Sequence, residues 1–510
     1  MRFLRYLLPF FLLASSVFAA LPAAMTWEVR VGNANGGASQ NNGGGFLSGT
    51  SATPVDYSIQ DANHFTSTAF KMTAADRSKV WNSSGTAFDT ADVNNVLHLT
   101  AGTSWTAGWY QVTAVDGNST ATLDRVVAGS YTANSGTGCL GGAFKIGGTL
   151  DDNFFEANAA GNTIWIAAGT YSLGESIDIA SDGTSAAPII ASGYNSSRGD
   201  RPTGNNRPLM SCGAYYWTHT AQYRNYYHLQ FTTTASRTAL VTPVYSQIVN
   251  CKATSFSTVA NKAGFWSGTY GTAYIGCEGI SRLGYGFSVG SGGSVISCYA
   301  HDSDTGIYNP VGSVSGCVVD TCQTGIFMGG AYDIVNNTIR NCVLGISAGT
   351  VDLSSILNNI IADCVTGASS VAVENQYWDY NCWSNNGTDV SNVTKGSHDV
   401  TADALLVSGT AKGTDGATTV SGLVFTAASN PFGSVTTSDC LNITVAGTGA
   451  TLGIYAISSV DSPGQITLAT SAGASKTGIT YCIVLGNDFT LSAGSPAFNA
   501  GLKLGSDVGL

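Results

Sequence analysis

The sequence predicts an all-β protein built around a right-handed parallel β-helix, and three observations support that prediction. The first is a repeat of about 20 residues between positions 251 and 370. The second is a composition with 63 glycines and only 10% charged residues, which suits many tight turns better than helices. The third is an alternation of apolar and variable residues within each repeat, which is typical of strands with one buried face.

The repeat is clearest in four segments that align without a gap: CYAHDSDTGI (298–307), CVVDTCQTGI (317–326), NTIRNCVLGI (337–346) and NIIADCVTGA (359–368). One glycine recurs at the same place, at intervals of 22, 20, 19, 20 and 22 residues: Gly264, Gly286, Gly306, Gly325, Gly345 and Gly367. Such spacing leaves room for one solenoid turn per repeat and none for a helix. We therefore expect the six glycines to lie in one line along the solenoid axis.

The alignment also predicts which side chains face the interior. Two aliphatic columns are expected there, one of Ile296, Val335 and Leu357 and one of Ala300, Val319, Ile339 and Ile361. A third column between them contains Cys298, Cys317, Asn337 and Asn359, in which the asparagines can form an amide ladder. A further inward column contains Ser303, Cys322, Cys342 and Cys364.

The 12 cysteines allow two interpretations. In an exported protein they ordinarily indicate disulfides, and adjacent rungs such as Cys298–Cys317 or Cys342–Cys364 would lie within bonding range. The alternative is a stack of small buried thiols, which packing alone explains. We expect the stacked thiols, and no paired C-x-x-C motif indicates a metal.

The N-terminus predicts export. Residues 1–19 have the form of a signal peptide, because Arg2 and Arg5 precede an apolar run, 7–18, that ends in small residues. That run is too short to span a bilayer, and no later stretch is long and apolar enough. The mature chain is therefore expected to be secreted, periplasmic or on the cell surface, without a membrane span. Its acidic net charge of −11 argues against nucleic acid as a partner.

The remaining chain is divided into an N-terminal cap (20–55), the β-helix (143–400), a C-terminal tail (487–510) and two small all-β modules (56–142 and 416–486). The modules are inferred from a duplication, in which LHLTAGTSWTAGWYQVTAVDGNSTATLD (97–124) matches LNITVAGTGATLGIYAISSVDSPGQITLA (441–469) with a single gap. The matched positions include Tyr110 with Tyr455 and Asp116 with Asp461. Both segments predict short strands with a turn at the aspartate.

Three further segments resemble a known superfamily. The opening TWEVRVGNANGG (26–37), the IAAGTY coil within 162–202 and the closing LSAGSPAFNAG (491–501) are similar to pectate-lyase-like right-handed parallel β-helices. The opening segment and the inserted β module together resemble those of uncharacterised secreted β-helix proteins of bacteria and phages. The resemblance implies the fold over nearly the whole mature chain, but no single activity, because this fold carries lyases, hydrolases, epimerases, adhesins and tail spikes.

The motifs that the resemblance would bring for catalysis are missing. Polygalacturonase-like relatives use an Asp cluster with G-H-G and R-I-K, and neither motif occurs here. The nearest constellation is one outward column, His301, Asp320 and Arg340, which can supply a base, a ligand and a charge stabiliser. The alternative is a solvated charge ladder. As outward residues they should contribute little to the core, so we expect Asp320→Ala or His301→Ala to leave the melting temperature nearly unchanged.

Two other groups are candidates for binding. Asp302, Asp304 and Asp320 offer oxygen ligands for calcium, although the fold requires no cofactor. Five aromatic residues between 215 and 227 offer flat rings for stacking on sugars: Tyr215, Tyr216, Trp217, Tyr226 and Tyr227. The alternative is that half of these rings face inward and the others shield the coil beneath.

The sequence thus predicts a secreted β-helix protein that binds carbohydrate or serves as an extracellular surface component. One alternative is a polysaccharide lyase or glycoside hydrolase acting on an acidic glycan, which the missing motifs disfavour. Another is a phage-derived tail-spike or fibre-like protein, and only for that alternative is a trimer expected.

Overall fold

The computed structural model describes residues 26–31, 45–46, 65–401 and 412–484, with short internal gaps at 94–95, 142–143, 145, 147–150, 197, 235, 269, 309–310, 331–332, 350–353, 372–375, 434, 438–439, 446 and 452. The predicted signal peptide and C-terminal tail lie outside the described residues, as does most of the predicted cap. The chain divides into two compact units, residues 1–230 and 231–510. The domain boundaries inferred from the sequence stay predictions.

The first unit opens with β1 (Thr26–Val29) and β2 (Gly45–Phe46), which pair antiparallel. Six strands follow, with a short 3-10 turn at Thr90–Asp92: β3 (Phe65–Met72), β4 (Lys79–Asn82), β5 (Val96–Ala101), β6 (Gly108–Val115), β7 (Ala121–Leu123) and β8 (Gly136–Leu140). They close into an antiparallel barrel in the order β3-β4-β7-β6-β5-β8. The barrel has its own apolar core, which includes Phe70, Leu97 and Tyr110.

Parallel coils make up the rest of the first unit. They comprise one helix, α1 (Asp151–Glu156), a 3-10 turn at Gly204–Asn206, and the strands β9 (Thr163–Ala167), β10 (Thr170–Ser172), β11 (Ile177–Ile179), β12 (Ile189–Tyr194), β13 (Leu209–Gly213), β14 (Trp217–His219) and β15 (Arg224–Tyr227). Strands β1, β9, β12 and β15 stack in parallel, β10 stacks on β13, and β11 stacks on β14. The unit boundary falls within β16 (Gln230–Thr233).

The second unit continues with short strands whose bounds follow the repeat. They are β17 (Leu240–Val241), β18 (Gln247–Val249), β19 (Lys252–Ser255), β20 (Ala263–Trp266), β21 (Ala273–Ile275), β22 (Glu278–Ser281), β23 (Tyr285–Ser288), β24 (Ser291–Ile296), β25 (Tyr299–His301), β26 (Thr305–Tyr308), β27 (Val311–Ser315), β28 (Val318–Asp320), β29 (Thr324–Met328), β30 (Asp333–Val335), β31 (Thr338–Arg340), β32 (Leu344–Ala348), β33 (Ser354–Leu357), β34 (Ile360–Ala362), β35 (Thr366–Ser370), β36 (Gln376–Asp379), β37 (Cys382–Ser384), β38 (Thr388–Ser391) and β39 (Val400–Thr401).

From β20 to β38, each strand stacks in parallel on the strand three before it, and β39 stacks on β37, so three sheets run along the second unit. The first sheet runs from β18 to β36, the second from β19 to β39 and the third from β17 to β38. From β18 to β38, each coil contributes one strand to each sheet. The predicted all-β, right-handed parallel β-helix is therefore confirmed.

The six repeat glycines lie in consecutive strands of the third sheet and form the predicted line. The coils approach closely there, since a Cβ added at Gly345 would lie 2.4 Å from the carbonyl oxygen of Gly367. The following residues place apolar side chains directly over one another: Phe265, Phe287, Ile307, Ile326, Ile346 and Ala368. The absence of a side chain at the glycine thus allows the next residue to fill the interior.

One of the two predicted aliphatic columns faces the wrong way. The column from Ala300 to Ile361 is fully buried, but Ile296, Val335 and Leu357 are only half-buried. The residues one position earlier are the interior ones: Val295, Ile334 and Ile356. The cause is a corner residue with a left-handed backbone that follows each of these strands, such as Asn336 (φ 59°). That residue interrupts the alternation of inward and outward side chains. A prediction of inward positions that starts at the cysteine column and proceeds towards the N-terminus is therefore wrong by one residue before the corner.

The column of cysteines and asparagines forms the predicted ladder. The Cys298 N–H donates to Cys317 Sγ at 3.4 Å, the Cys317 N–H to Asn337 Oδ1 at 2.9 Å, and the Asn337 N–H to Asn359 Oδ1 at 3.0 Å. The ladder continues through Asn381 to Asp399. Each side chain thereby satisfies a backbone donor that the corner would otherwise leave buried without a partner.

The cysteines are free and buried at all ten positions where the structure describes the side chain. Cys322, Cys342 and Cys364 are at most 3% exposed and occupy the predicted inward column. Stacked thiols, and not disulfides, are therefore confirmed in both columns. Burial raises the pKa of the Cys298 and Cys322 thiols, because a thiolate would lose its hydration there.

The second unit ends in another six-stranded barrel: β40 (Lys412–Thr418), β41 (Val424–Ala427), β42 (Cys440–Val445), β43 (Gly453–Ser462), β44 (Gln465–Leu468) and β45 (Ile479–Val484). Its strand order, β40-β41-β44-β43-β42-β45, repeats that of the first barrel. Equivalent tyrosines make the same hydrogen bond, Tyr110 Oη to the Thr106 carbonyl at 2.8 Å and Tyr455 Oη to the Thr451 carbonyl at 2.7 Å. The sequence duplication is thus also a structural one.

No helix within the described ranges is long and apolar enough to cross a bilayer.

Candidate functional site

The predicted column of charged residues lies on the second sheet of the second unit. Strand pairing sets His301 beside Asp320 and Asp320 beside Arg340. These residues alternate with Val319 and Ile339, which face the glycine line inside the coils. The structure therefore brings the three candidate residues together on the outer side of the sheet, as the repeat predicts.

The predicted solvent exposure of this column is wrong for two of its three members. Asp320 is 0% exposed and Arg340 is 1% exposed. Their neighbours on the same outer side, Thr338 and Ile360, are also 1% exposed. An outward direction from a strand does not guarantee contact with solvent, because other parts of the chain can cover the sheet. The expectation that substitution of Asp320 leaves the melting temperature unchanged rested on this solvent exposure, so the structure removes its basis.

Asp320 and Arg340 form a buried ion pair. Arg340 Nη2 donates to Asp320 Oδ2 at 3.0 Å, and Asn341 Nδ2 donates to Asp320 Oδ1 at 2.9 Å. Burial raises the pKa of the Asp320 carboxyl, and the Arg340 charge and the Asn341 hydrogen bond oppose that rise. Both carboxylate oxygens are occupied, so this carboxylate is part of the packing of the sheet.

His301 lies one coil earlier, in a separate charged cluster with 14% of its side chain exposed. Its Nδ1 contacts Asp302 Oδ2 at 2.9 Å and its Nε2 contacts Glu278 Oε1 at 3.2 Å. Lys252 Nζ donates to the same Glu278 oxygen at 2.7 Å, from one coil further back. The ring of Tyr299 stacks on the imidazole with a centroid separation of 4.1 Å.

The pKa values of this cluster show what it can do chemically. Burial lowers the pKa of His301, but hydrogen bonds to Asp302 and Glu278 outweigh burial and raise the pKa to about 9. Burial likewise opposes ionisation of Glu278, yet His301 and Lys252 lower the pKa of its carboxyl to about 2. At neutral pH the imidazole is therefore a cation between two carboxylates. Both ring nitrogens already contact carboxylates, so this arrangement does not support His301 as a general base.

The three aspartates proposed as calcium ligands do not form a metal cluster. Asp302 is bound to His301 and, through Oδ1, to Thr321 Oγ1 at 3.1 Å, while Asp320 is bound to Arg340. Asp304 is exposed. Within the part of the chain that the structure describes, no group of three or more His, Cys, Asp or Glu side chains is arranged to hold a metal ion. This arrangement does not support a calcium site at these residues.

The proposed sugar-binding aromatic residues of the first unit separate into two classes. Trp217 is 0% exposed and Tyr226 is 2% exposed, so the prediction that they present rings to a sugar is wrong. Both bind the buried His219, whose Nε2 accepts from Trp217 Nε1 at 3.1 Å and lies 2.8 Å from Tyr226 Oη. Tyr216 and Tyr227 are half-buried, and Tyr215 is 38% exposed. Strand alternation in β15 explains why Tyr226 is buried and Tyr227 is not, whereas Tyr215 and Tyr216 precede β14.

A more exposed group of aromatic residues lies in the second unit and is called here the aromatic patch: Tyr245, Trp266 and Tyr270. Their exposed fractions are 48%, 45% and 58%. The Tyr245 N–H donates to the Tyr270 carbonyl at 3.2 Å, which places the two residues on adjacent coils. The sequence contained a signal for Trp266, since it follows the inward Phe265 and must therefore point outward.

A second set of outward rings does not offer the same surface. Tyr285 stacks on Tyr308 at 4.1 Å and Tyr308 stacks on Phe327 at 5.1 Å. Rings stacked face to face have little free face left for a ligand. This ladder therefore stabilises neighbouring coils, whereas the aromatic patch retains accessible rings.

Another polar group, missed in the sequence, lies at the last coil of the β-helix. His398 Nδ1 contacts Asp379 Oδ2 at 2.8 Å, and the Tyr377 hydroxyl donates to the same oxygen at 3.0 Å. The side chain of His398 is 57% exposed and that of Asp379 only 4%. His398 lies beyond the aligned repeat, so no column of the sequence pointed to this pair.

No protein-family model matches this chain, and no curated protein sequence matches it. Several solved structures resemble it in fold. Pectate lyase Pel9A is 15% identical over 68% of this chain and 84% of its own, with a TM-score of 0.39. An alginate lyase from Paenibacillus sp. str. FPU-7 is 13% identical over 48% of this chain and 93% of its own, with a TM-score of 0.33. The GH136 lacto-N-biosidase from Eubacterium ramulus is 9% identical over 48% and 62%, with a TM-score of 0.32.

Proposed function

We propose that this protein is exported and binds a neutral polysaccharide through the aromatic patch of its second unit. The observation that supports the proposal is the exposure of three large rings, Tyr245, Trp266 and Tyr270, each between 45% and 58%. Single exposed apolar side chains are common on proteins, whereas a group of them on one surface often marks a ligand-binding site. Aromatic faces suit the apolar faces of sugar rings, and hydroxyl groups at the edges remain hydrated.

Glycines next to the rings contribute to this surface. A Cβ added at Gly271 would lie 2.6 Å from Cδ1 of Tyr245, and one added at Gly268 would lie 3.9 Å from Cζ2 of Trp266. The rings therefore lie close over backbone without side chains. A ring supported in this way loses little conformational freedom when a ligand binds, which favours affinity.

Charge favours a neutral glycan over an acidic one. The whole chain carries a net charge of −11, so a polyanionic sugar would approach against a repulsive field. The cations of the charged cluster do not compensate, because Lys252 is paired with Glu278 and His301 lies between two carboxylates. A binding role needs none of these charges to be free.

The same cluster argues against the lyase and hydrolase alternatives. Removal of a proton from a uronate, or activation of a water, requires an unprotonated base next to the substrate. His301 is a cation and Asp320 is 0% exposed. Neither residue supplies such a base, so this cluster does not support the lyase or hydrolase alternatives, and the proposed role is binding, in a secreted or surface-attached protein.

The test is a binding measurement on purified wild-type protein with neutral hexasaccharides of glucose, xylose, mannose and galactose. We expect at least one to bind, and Trp266→Ala to weaken that binding about tenfold or more. Trp81→Ala is the matched control, because Trp81 is 40% exposed on the barrel of the first unit. Equal losses from both variants, or no binding by the wild type, would overturn the proposal. New ultraviolet absorbance after incubation with pectate or alginate would favour the lyase alternative instead.

A further inference from the structure

The last coil of the β-helix holds a histidine in one fixed orientation. Asp379 accepts from the His398 backbone N–H at 2.8 Å through Oδ1, while its Oδ2 lies 2.8 Å from Nδ1 of the same residue. The ring of His398 stacks on Tyr380 with a centroid separation of 4.6 Å and an interplanar angle of 2°. One carboxylate and one aromatic ring thus fix both the position and the tilt of the imidazole.

The segment that carries His398 is fixed too. A Cβ added at Gly396 would lie 2.2 Å from the Trp378 carbonyl oxygen, so only glycine allows this close approach. Asp399 accepts from the Asn381 N–H at 2.8 Å and from Trp383 Nε1 at 2.9 Å. His398 is therefore presented from a rigid edge of the coil, although its own side chain is 57% exposed.

This geometry sets the chemistry of the exposed edge of the ring. In the neutral form, a ring that donates from Nδ1 to Asp379 has its lone pair on Nε2. No hydrogen-bond partner for Nε2 is found among the described residues. The Tyr377 hydroxyl donates to the same Asp379 oxygen that His398 Nδ1 contacts, and Tyr377 is 57% exposed. Two exposed side chains, one with an aromatic ring and one with an oriented acceptor, are thus both bonded to Asp379.

We propose that Tyr377 and His398 form a second saccharide subsite, in which the Tyr377 ring contacts a sugar face and His398 Nε2 accepts a hydrogen bond from a sugar hydroxyl. Asp379 is the positioning residue, since it fixes the tautomer and the orientation of the ring. The inference rests on the proposed binding of a neutral glycan, but it involves residues separate from the aromatic patch.

A serine-hydrolase arrangement does not fit the same group. Ser397 Oγ lies 3.2 Å from His398 Nδ1, the nitrogen that also contacts Asp379. A catalytic triad needs serine and carboxylate on opposite ring nitrogens. Nucleophilic activation of Ser397 is therefore not supported, whereas hydrogen-bond acceptance by Nε2 is.

The experiment measures the affinity of the hexasaccharide bound best by the wild type, for His398→Ala, Tyr377→Ala and Tyr377→Phe. We expect the two alanine variants to bind about five- to tenfold more weakly. Tyr377→Phe keeps the ring and should stay within about twofold of the wild type. Tyr131→Ala, at a residue 50% exposed in the first unit, is the matched control and should bind normally.

A direct readout guards against a purely structural effect of the substitutions. In the wild type, addition of the saccharide should shift the nitrogen resonance of His398 Nε2 and leave Nδ1 bonded to its proton. Wild-type binding that depends on Trp266 but not on His398 or Tyr377, without such a shift, would overturn the subsite and leave the aromatic patch intact. Absence of all wild-type binding would overturn both.

Discussion

Arg340 donates a hydrogen bond to Asp320 across two adjacent coils, at 3.0 Å, and neither side chain is more than 1% exposed. Removal of one partner from such a pair leaves a buried charge without compensation. We therefore expect Asp320→Ala to lower the free energy of unfolding by about 3–5 kcal/mol, measured by urea denaturation.

Two controls define this first prediction. Asp304→Ala removes an exposed carboxylate nearby and should change stability by less than about 0.5 kcal/mol. The double variant Asp320→Leu with Arg340→Met replaces the pair by apolar side chains and should recover most of the loss. A melting temperature for Asp320→Ala equal to that of the wild type would show that the pair is open to water.

The second prediction concerns the pH dependence of stability. The pKa of His301 is raised from 6.5 to about 9 in the folded protein. Its contribution to stability is therefore fully present below pH 6.5 and is lost as the pH rises towards 9. Between pH 6.5 and about pH 8, the free energy of unfolding of the wild type should fall more steeply than that of His301→Gln, by on the order of 1–2 kcal/mol.

The upper limit of that pH range matters, because unfolded cysteines ionise near pH 8.5 and add their own slope above it. The comparison between wild type and His301→Gln removes contributions that both share. Parallel stability curves for the two proteins would mean that His301 is not held as a cation.

A third prediction concerns the thiols. Cys322, Cys342 and Cys364 are buried and unbonded, so they should react with a thiol reagent only after unfolding. Mass spectrometry after native labelling should find these three unmodified, and labelling in denaturant should modify all three without prior reduction. Modification that needs a reductant would indicate disulfides, and rapid native labelling would contradict the inward column.

The fourth prediction tests the glycine line. In Gly345→Ala the new Cβ would meet the Gly367 carbonyl oxygen at 2.4 Å and Ile361 Cγ2 at 3.0 Å. The coils must then move apart, which should cost about 1–3 kcal/mol of unfolding free energy. Gly433→Ala is the control, since a Cβ there has no atom within 4 Å, and it should be neutral or slightly stabilising. Equal stability of both variants would refute close stacking at Gly345.

The fold was predictable because stacking turns spatial neighbours into a sequence period. Gly325 and Gly345 share a column, and the pattern needs no knowledge of distant contacts. The prediction of inward residues from the repeat was wrong next to the first corner. Residues with positive φ, such as Asn336, interrupt the alternation there, so Ile334 is buried instead of Val335. A period-2 pattern is reliable within a strand and not beyond a left-handed residue.

The candidate site was predictable only in part, for a related reason. The repeat aligns His301 with Asp320, but it contains no information on what lies over the outer side of a sheet, so the burial of Asp320 was missed. The outward direction of Trp266 could have been predicted from the inward direction of its neighbour Phe265. The sugar-binding residues were instead predicted in the first unit, because aromatic residues are concentrated in the sequence near position 220. The contact between Asp379 and His398 joins a coil to a segment outside the aligned repeat, so the spacing of the repeat could not predict it.

The ladder that passes from Cys298 to Asp399 has a direction. Each backbone N–H of the ladder column donates to the side chain of the coil that follows it, and the carboxylate of Asp399 accepts the last of these bonds. If the chain ended between two coils, the backbone N–H of the new last coil would therefore have no side-chain acceptor. Loss or gain of one whole interior coil, in contrast, would place the backbone N–H of one coil next to the equivalent side-chain acceptor of another. This asymmetry gives the ladder a defined end at Asp399 and leaves the number of interior coils free to change by whole turns.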